Sequence, residues 1–163
     1  MGTFEWRAFR AEDAAALATL FRAAVSTLAA PDYDAAARDA WASAADDVPA
    51  FAARLARGVT LVALREGRPA AFAQLYPANH VEMLYVAPAN ARQGLAAGLL
   101  MRLEAAARAS GAIKLSADVS LGARRSFERA GFETLIEERV QRNGVSLARF
   151  RMRKPLDAAH TQS

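Results

Sequence analysis

Apolar and polar residues alternate along Phe4-Glu5-Trp6-Arg7-Ala8-Phe9, which predicts a first strand. The period then changes. Leu17, Leu20, Phe21, Val25 and Leu28 recur at helical spacing behind Glu12 and Asp13, acids suited to a first helical turn. Pro31 ends that helix, and a second is expected over about 34–44, with Tyr33, Ala37 and Trp41 near one face. Asp46, Asp47 and Pro49 signal the start of a third short helix carrying Phe51 and Leu55, which Gly58 ends. Three strands follow at 59–64, 70–76 and 80–86, separated by turns at 65–68 and at Pro77 to Asn79. A long helix from Gly94 carries Leu95, Leu99 and Leu103 on one face and stops at Gly111. A strand over 113–119 completes a strand-helix-strand unit, so the strands on either side of the helix should be parallel neighbours. Ser120 is expected to cap a further helix ending at Gly131. Asn143-Gly144 between runs 134–140 and 145–150 is a hairpin signal. The element order describes one α+β domain over 1–156 around a mixed sheet, with 157–163 as a flexible polar tail.

Composition narrows the chemistry. The 163 residues include 53% apolar residues, enough for a buried core. No apolar run is long enough to span a membrane, and the N-terminal segment has no apolar signal region. Cysteine is absent, which removes disulfides and thiolate chemistry and is compatible with a cytoplasmic protein. The two histidines, His80 and His160, are far apart, so no metal site is expected. The net charge of +4 is spread along the chain, a field suited to an anionic cofactor rather than the concentrated patch of a nucleic-acid binder.

The informative stretch runs from Leu84 to Leu100. An apolar strand breaks at Pro88, crosses a short basic loop and becomes a helix at Gly94. Gly94, Ala96, Ala97 and Gly98 are small residues at a helix start. The first N–H groups of a helix have no internal partners and lie at the positive end of its dipole, so a phosphate or pyrophosphate is the expected guest. The Gly-x-Gly-x-x-Gly fingerprint and the P-loop are both absent, which argues against dinucleotide and ATP sites.

These residues resemble the GNAT superfamily of acetyl-CoA-dependent N-acetyltransferases, over roughly 4–155 and most strongly over 80–132. The family motif Gln/Arg-x-x-Gly-x-Gly/Ala is matched by Ala91-Arg92-Gln93-Gly94-Leu95-Ala96, with Ala91 in the leading place. A second signature, Asn-x-x-Ala-x-x-Phe/Leu-Tyr-x-x-x-Gly-Phe, is similar to Ser120 through Phe132: Ala123 and Gly131-Phe132 match, Ser120 replaces Asn, and Phe127 replaces the Tyr that often protonates the departing thiolate. The resemblance implies a mostly antiparallel sheet with one splayed pair of parallel strands and helices on both faces. It implies acetyl-CoA as co-substrate, with the pyrophosphate on Gln93, Gly94, Leu95, Ala96 and Ala97, aided by Arg92. The pantetheine arm would lie along Leu84, Tyr85 and Val86, and Ser120, Arg124 and Phe127 would complete the cofactor site. The Val86 N–H would polarise the thioester carbonyl.

An acceptor amine must lose a proton. Glu82 is the first candidate base, because it precedes the cofactor-contacting residues on the same strand and alternates with them; His80 and Asp118 are the others. For the thiolate, a phenyl ring at Phe127 has no proton to give, leaving Tyr85, Ser126 or water. Tyr33, Trp41 and Phe72 are candidate walls for an acceptor that the sequence does not name. The implied function is direct acetyl transfer to an amine of a small molecule or of a protein or peptide in a ternary complex. The alternative is a catalytically weak acetyl-CoA-binding regulatory module. A homodimer through the final strands is a further expectation of the resemblance.

Overall fold

The computed structural model describes residues 3–156; the expected tail at 157–163, with His160, lies outside them. The chain forms strands β1 (Glu5–Ala8), β2 (Val59–Arg65), β3 (Arg68–Leu75), β4 (His80–Val86), β5 (Lys114–Val119), β6 (Glu133–Arg142) and β7 (Val145–Pro155). The helices are α1 (Ala14–Leu28), α2 (Ala35–Ala42), α3 (Val48–Leu55), α4 (Leu95–Ala109) and α5 (Arg124–Arg129). The strands join one seven-stranded sheet in the order β1-β2-β3-β4-β5-β7-β6. Every pairing is antiparallel except β4 with β5.

Both faces of the sheet are covered. Alternating side chains of β2 show how: Val62 and Leu64 join Leu17, Phe21, Phe51 and Leu55 of α1 and α3, while Ala63 joins Leu95, Leu99 and Leu103 of α4 on the other side. A strand buried on both faces reads as a continuous apolar run, which is how 59–64 appears in the sequence. Helices α2 and α3 start where their caps predict. Asp34 accepts from the Ala37 N–H at 2.8 Å and Asp47 from the Ala50 N–H at 3.0 Å. Ser120 departs from expectation. It makes no capping hydrogen bond and precedes a 3₁₀ turn at Leu121–Ala123, so α5 is only six residues long.

Two irregularities around β4 create the site. First, β4 and β5 pair at only two positions, His80 with Ser116 and Val81 with Ala117. Beyond them β5 stays paired with β7 through Val119, and β4 stays on β3 through Val86. The strands therefore part, leaving a wedge-shaped gap in mid-sheet. Second, β3 opposes Leu75 to Val81 and Gln74 to Met83. One step on β3 matches two on β4, which makes Glu82 the extra residue of a β-bulge. The bulge reverses the alternation: Val81 packs into the α4-side core, whereas Met83, two residues on, packs into the α1-side core. The expectation that Glu82 shares the simple alternation of Leu84 and Val86 is thus corrected.

Candidate functional site

Two cavities meet at the gap. The larger, of about 730 Å³, runs from the gap across the start of α4 and along the groove between α4 and α5. It brings together Leu84, Tyr85, Val86, Arg92, Gly94, Leu95, Ala96, Ala97, Ser120 and Phe127. Gln93 and Arg124 do not line it. Gln93 accepts from Arg65 at 3.2 Å on the outer surface. Arg124 pairs with Glu128 at 3.1 Å and stacks 4.5 Å from the centre of the Phe150 ring. Their side chains are therefore committed elsewhere, although the Gln93 backbone remains in the loop before α4.

The start of α4 leaves its first N–H groups without a side-chain cap. Gly94 holds φ at 79°, the left-handed conformation that favours glycine, and a Cβ there would meet nothing within 4 Å. No side chain caps this helix, unlike α2 and α3, so the N–H groups of its first turn face open space. Arg92, a non-glycine residue at φ 64°, stores backbone strain beside it, and its guanidinium has no ion-pair partner among the described residues. Gly98 is different. Its N–H already bonds the Gly94 carbonyl at 3.0 Å, and a Cβ would lie 2.6 Å from the Trp6 ring. It is small so that Trp6 can pack on α4, and it does not line the cavity.

The sequence does not reveal the cations at the far end of this cavity, Arg108, Arg129 and Lys154. Lys154 donates to Glu104 and to the Ala130 carbonyl at 2.7 Å, and Arg108 donates to Glu104 at 3.0 Å. Burial pushes the Glu104 carboxyl up, but these hydrogen bonds outweigh it and hold the group below its ordinary range. These residues come from α4, α5 and β7, and only the fold places them together.

The backbone of β4 offers donors to the gap. The Ala87 N–H bonds the Ala70 carbonyl of the β3 side at 2.8 Å. Successive N–H groups of an extended strand point to opposite sides, so the Val86 and Leu84 N–H groups point into the gap.

The second cavity, of about 480 Å³, lies on the other side of the gap between α2, the end of α3 and the β6–β7 hairpin. It gathers all three candidate bases. The Nε2 of His80 is 3.7 Å from Glu82 and 3.7 Å from Asp118. These are ion-pair separations, longer than direct hydrogen bonds. The other ring nitrogen, Nδ1, is 2.7 Å from the Ser116 hydroxyl, which fixes the ring. Arg54 lies 3.8 Å from Glu82 and Arg149 lies 3.6 Å from Asp118.

Tyr33, Trp41, Tyr85 and Ser120 line both cavities and form the partition between them. The Trp41 Nε1–H donates to the Tyr85 hydroxyl at 3.2 Å. Indole nitrogen is only a donor, so the phenol oxygen accepts and its own proton is uncommitted. Burial raises the Tyr85 phenol to about 12 despite that hydrogen bond, so it stays protonated across the working range. Tyr33 is already fully used: its hydroxyl donates to the Ala148 carbonyl at 2.7 Å and accepts from the Leu121 N–H at 2.9 Å. Phe127 is buried against Phe132, with ring centres 5.1 Å apart. Phe72, expected as a wall, is 0% exposed, lines neither cavity and belongs to the core beside Phe51 and Tyr85.

A family model described as the acetyltransferase (GNAT) domain matches residues 29–154. The crystal structure of a GCN5-related N-acetyltransferase from Rhodopseudomonas palustris is 40% identical, with a TM-score of 0.92 over 96% of this chain and 98% of that one. YafP of Escherichia coli K12, an uncharacterised N-acetyltransferase, is 29% identical over 153 residues, which is 94% of this chain and 97% of YafP. PaiA N-acetyltransferase from Thermoplasma acidophilum, solved in complex with coenzyme A, shares the fold at a TM-score of 0.76 and 16% identity, over 94% of this chain and 99% of that one.

Proposed function

Since the chain belongs to the GNAT acetyltransferase family, we propose that it transfers an acetyl group from acetyl-CoA to a primary amine by direct attack in a ternary complex. The observation that carries this reading is the meeting of two unlike cavities at Tyr85. One has an uncapped helix start and a mostly apolar channel; the other holds carboxylates. The pyrophosphate of acetyl-CoA would rest on the first N–H groups of α4 with Arg92 beside it, and the arm would follow Leu84 to Val86. Coenzyme A in PaiA is consistent with this use of the fold.

The acceptor ammonium would enter the second cavity and lose its proton to Glu82, directly or through His80. Its nitrogen then attacks the thioester carbon, the carbon–sulfur bond breaks and the thiolate leaves. The Val86 N–H, aimed into the gap, would polarise the carbonyl oxygen. Tyr85 would give the thiolate its proton and regain one from the nitrogen, which loses its second proton as the amide forms. It fits that role better than Ser126, because Tyr85 lines both cavities and Ser126 only the first. Phe127 has no part in proton transfer and serves as an apolar wall for the arm.

The test combines binding with turnover. Acetyl-CoA or coenzyme A at 100 times its dissociation constant should stabilise the fold by about 2.7 kcal/mol, and ATP should not match it. Free coenzyme A should then appear with an amine panel. No stabilisation by acetyl-CoA sinks the cofactor assignment. Strong stabilisation with no coenzyme A release from any amine favours the alternative, a binding module with a regulatory role.

A further inference from the structure

The second cavity holds one positive charge that the transfer chemistry leaves unused. The three arginines that line it are not equivalent. Arg149 is neutralised by Glu138, to which its Nε donates at 2.7 Å, with Asp118 at 3.6 Å. Arg54 has Glu82 at 3.8 Å. Arg142 has no carboxylate at ion-pair distance among the described residues and donates only to the neighbouring Gln141 carbonyl, at 2.9 Å.

Arg142 is also held in place. It ends β6, at the turn Asn143-Gly144, whose residues have φ of 49° and 76°. Such a two-residue turn keeps the hairpin in register. The Asn143 side-chain amide donates to the Ser43 hydroxyl, just beyond α2, at 2.7 Å. That bond joins the hairpin tip to the helical wall opposite, and Ser43, Arg142 and Asn143 all line the cavity. The backbone that carries Arg142 is thereby anchored at the rim of the cavity, and its exposed guanidinium is left available to a ligand there.

We infer that the acceptor is a small amine that also carries a carboxylate, an amino acid in chemical type. Its ammonium lies toward Glu82 and Asp118 and its carboxylate toward Arg142. The inference rests on the transferase reading of the same site and adds the acceptor's class to it. Volume agrees, since about 480 Å³ suits one small molecule. Charge agrees as well. The second ammonium of a diamine or polyamine would face the unpaired Arg142, whereas a guanidinium fork matches a carboxylate with two parallel hydrogen bonds.

The experiment uses matched acceptors: the standard α-amino acids, β-alanine and γ-aminobutyrate, each against its carboxamide, together with simple diamines. Two readouts are taken, coenzyme A release and thermal stabilisation of the coenzyme A-bound protein. At least one acid should exceed its carboxamide about tenfold or more in kcat/KM, the scale of one charge-assisted hydrogen bond. In Arg142→Gln that preference should shrink to within about twofold. Arg139→Gln should retain it, because Arg139 bonds Ser146 on the hairpin's outer surface and lines neither cavity. Carboxamides or diamines used as well as the acids would overturn the inference while leaving the transferase reading intact. So would an acid preference that survives Arg142→Gln. Acid-selective stabilisation without coenzyme A release would uphold an amino-acid ligand for the cavity, overturn its role as acceptor and reject the transferase reading.

Discussion

Tyr85 gives the sharpest quantitative test, because one substitution probes both its burial and its proton. In Tyr85→Phe the ring stays among Phe21, Phe72 and Trp41, and only the hydroxyl is lost. At pH 8 the variant should be less stable by about 1 kcal/mol, since the Trp41 N–H loses its acceptor. The pH dependence is the more severe test. The native phenol titrates near 12 against an ordinary 10 in the unfolded chain. A group whose native value is raised contributes stability that is complete below the unfolded value and is lost as pH climbs toward the native one. At pH 11 the unfolded phenol has ionised and the native one has not, so the wild type should have lost about 1 kcal/mol that the variant never had. The 1 kcal/mol gap at pH 8 should therefore close or slightly reverse by pH 11. Urea unfolding of both proteins at pH 8, 10 and 11 measures it, and the other titrating groups cancel in the difference. A gap equal at pH 8 and pH 11 would refute the desolvated phenol and, with it, Tyr85 as a reserved proton donor. Kinetically, Tyr85→Phe should lower kcat by at least about tenfold with little change in the KM for acetyl-CoA.

Other expectations follow from single contacts. Gly94→Asp should weaken acetyl-CoA binding by about tenfold or more, and Gly94→Asn, which tolerates the same φ without charge, should weaken it far less; calorimetry separates the two. Gly98→Ala should cost about 1–3 kcal/mol of stability through its clash with Trp6 while acetyl-CoA affinity holds, and equal losses in both would place Gly98 back in the anion site. Glu82→Gln should reduce kcat/KM by about a hundredfold or more, and unchanged turnover would transfer the base role to His80 or Asp118. Asp13, gripped by Arg7 through two hydrogen bonds of 2.8 and 2.9 Å, has its carboxyl held below the ordinary 3.8. Its contribution is present above that value and lost as pH falls below it, so the stability advantage of wild type over Asp13→Asn should vanish under acid titration followed by circular dichroism.

Much of the fold is encoded in signals that act within a few residues. The strand-loop-helix from Leu84 to Leu100, the caps Asp34 and Asp47 and the Asn143-Gly144 turn all act within a few residues, and all appear in the structure where the pattern places them. What stayed hidden depends on distant partners. Glu82 as a bulge residue requires the register against β3, which no periodicity encodes. The Trp41–Tyr85 bond spans 44 positions and the Asn143–Ser43 bond spans 100. Gly98 looked like part of a phosphate cradle because a small residue at a helix start reads the same whether it makes room for a ligand or for Trp6. Arg124 likewise sits one turn from the cavity wall, and only the helix phase shows that it faces Phe150 instead.

The shared partition has a thermodynamic consequence. Tyr33, Trp41, Tyr85 and Ser120 belong to the walls of both cavities. A ligand that orders these side chains from one side prepares them for the other, and linkage makes that help reciprocal: whatever factor the cofactor adds to acceptor affinity, the acceptor must return to the cofactor. A single compound joining a coenzyme A thioether to an amino acid through the partition would convert the second binding event into an intramolecular one, and its affinity should exceed that of either half by far more than their added contacts.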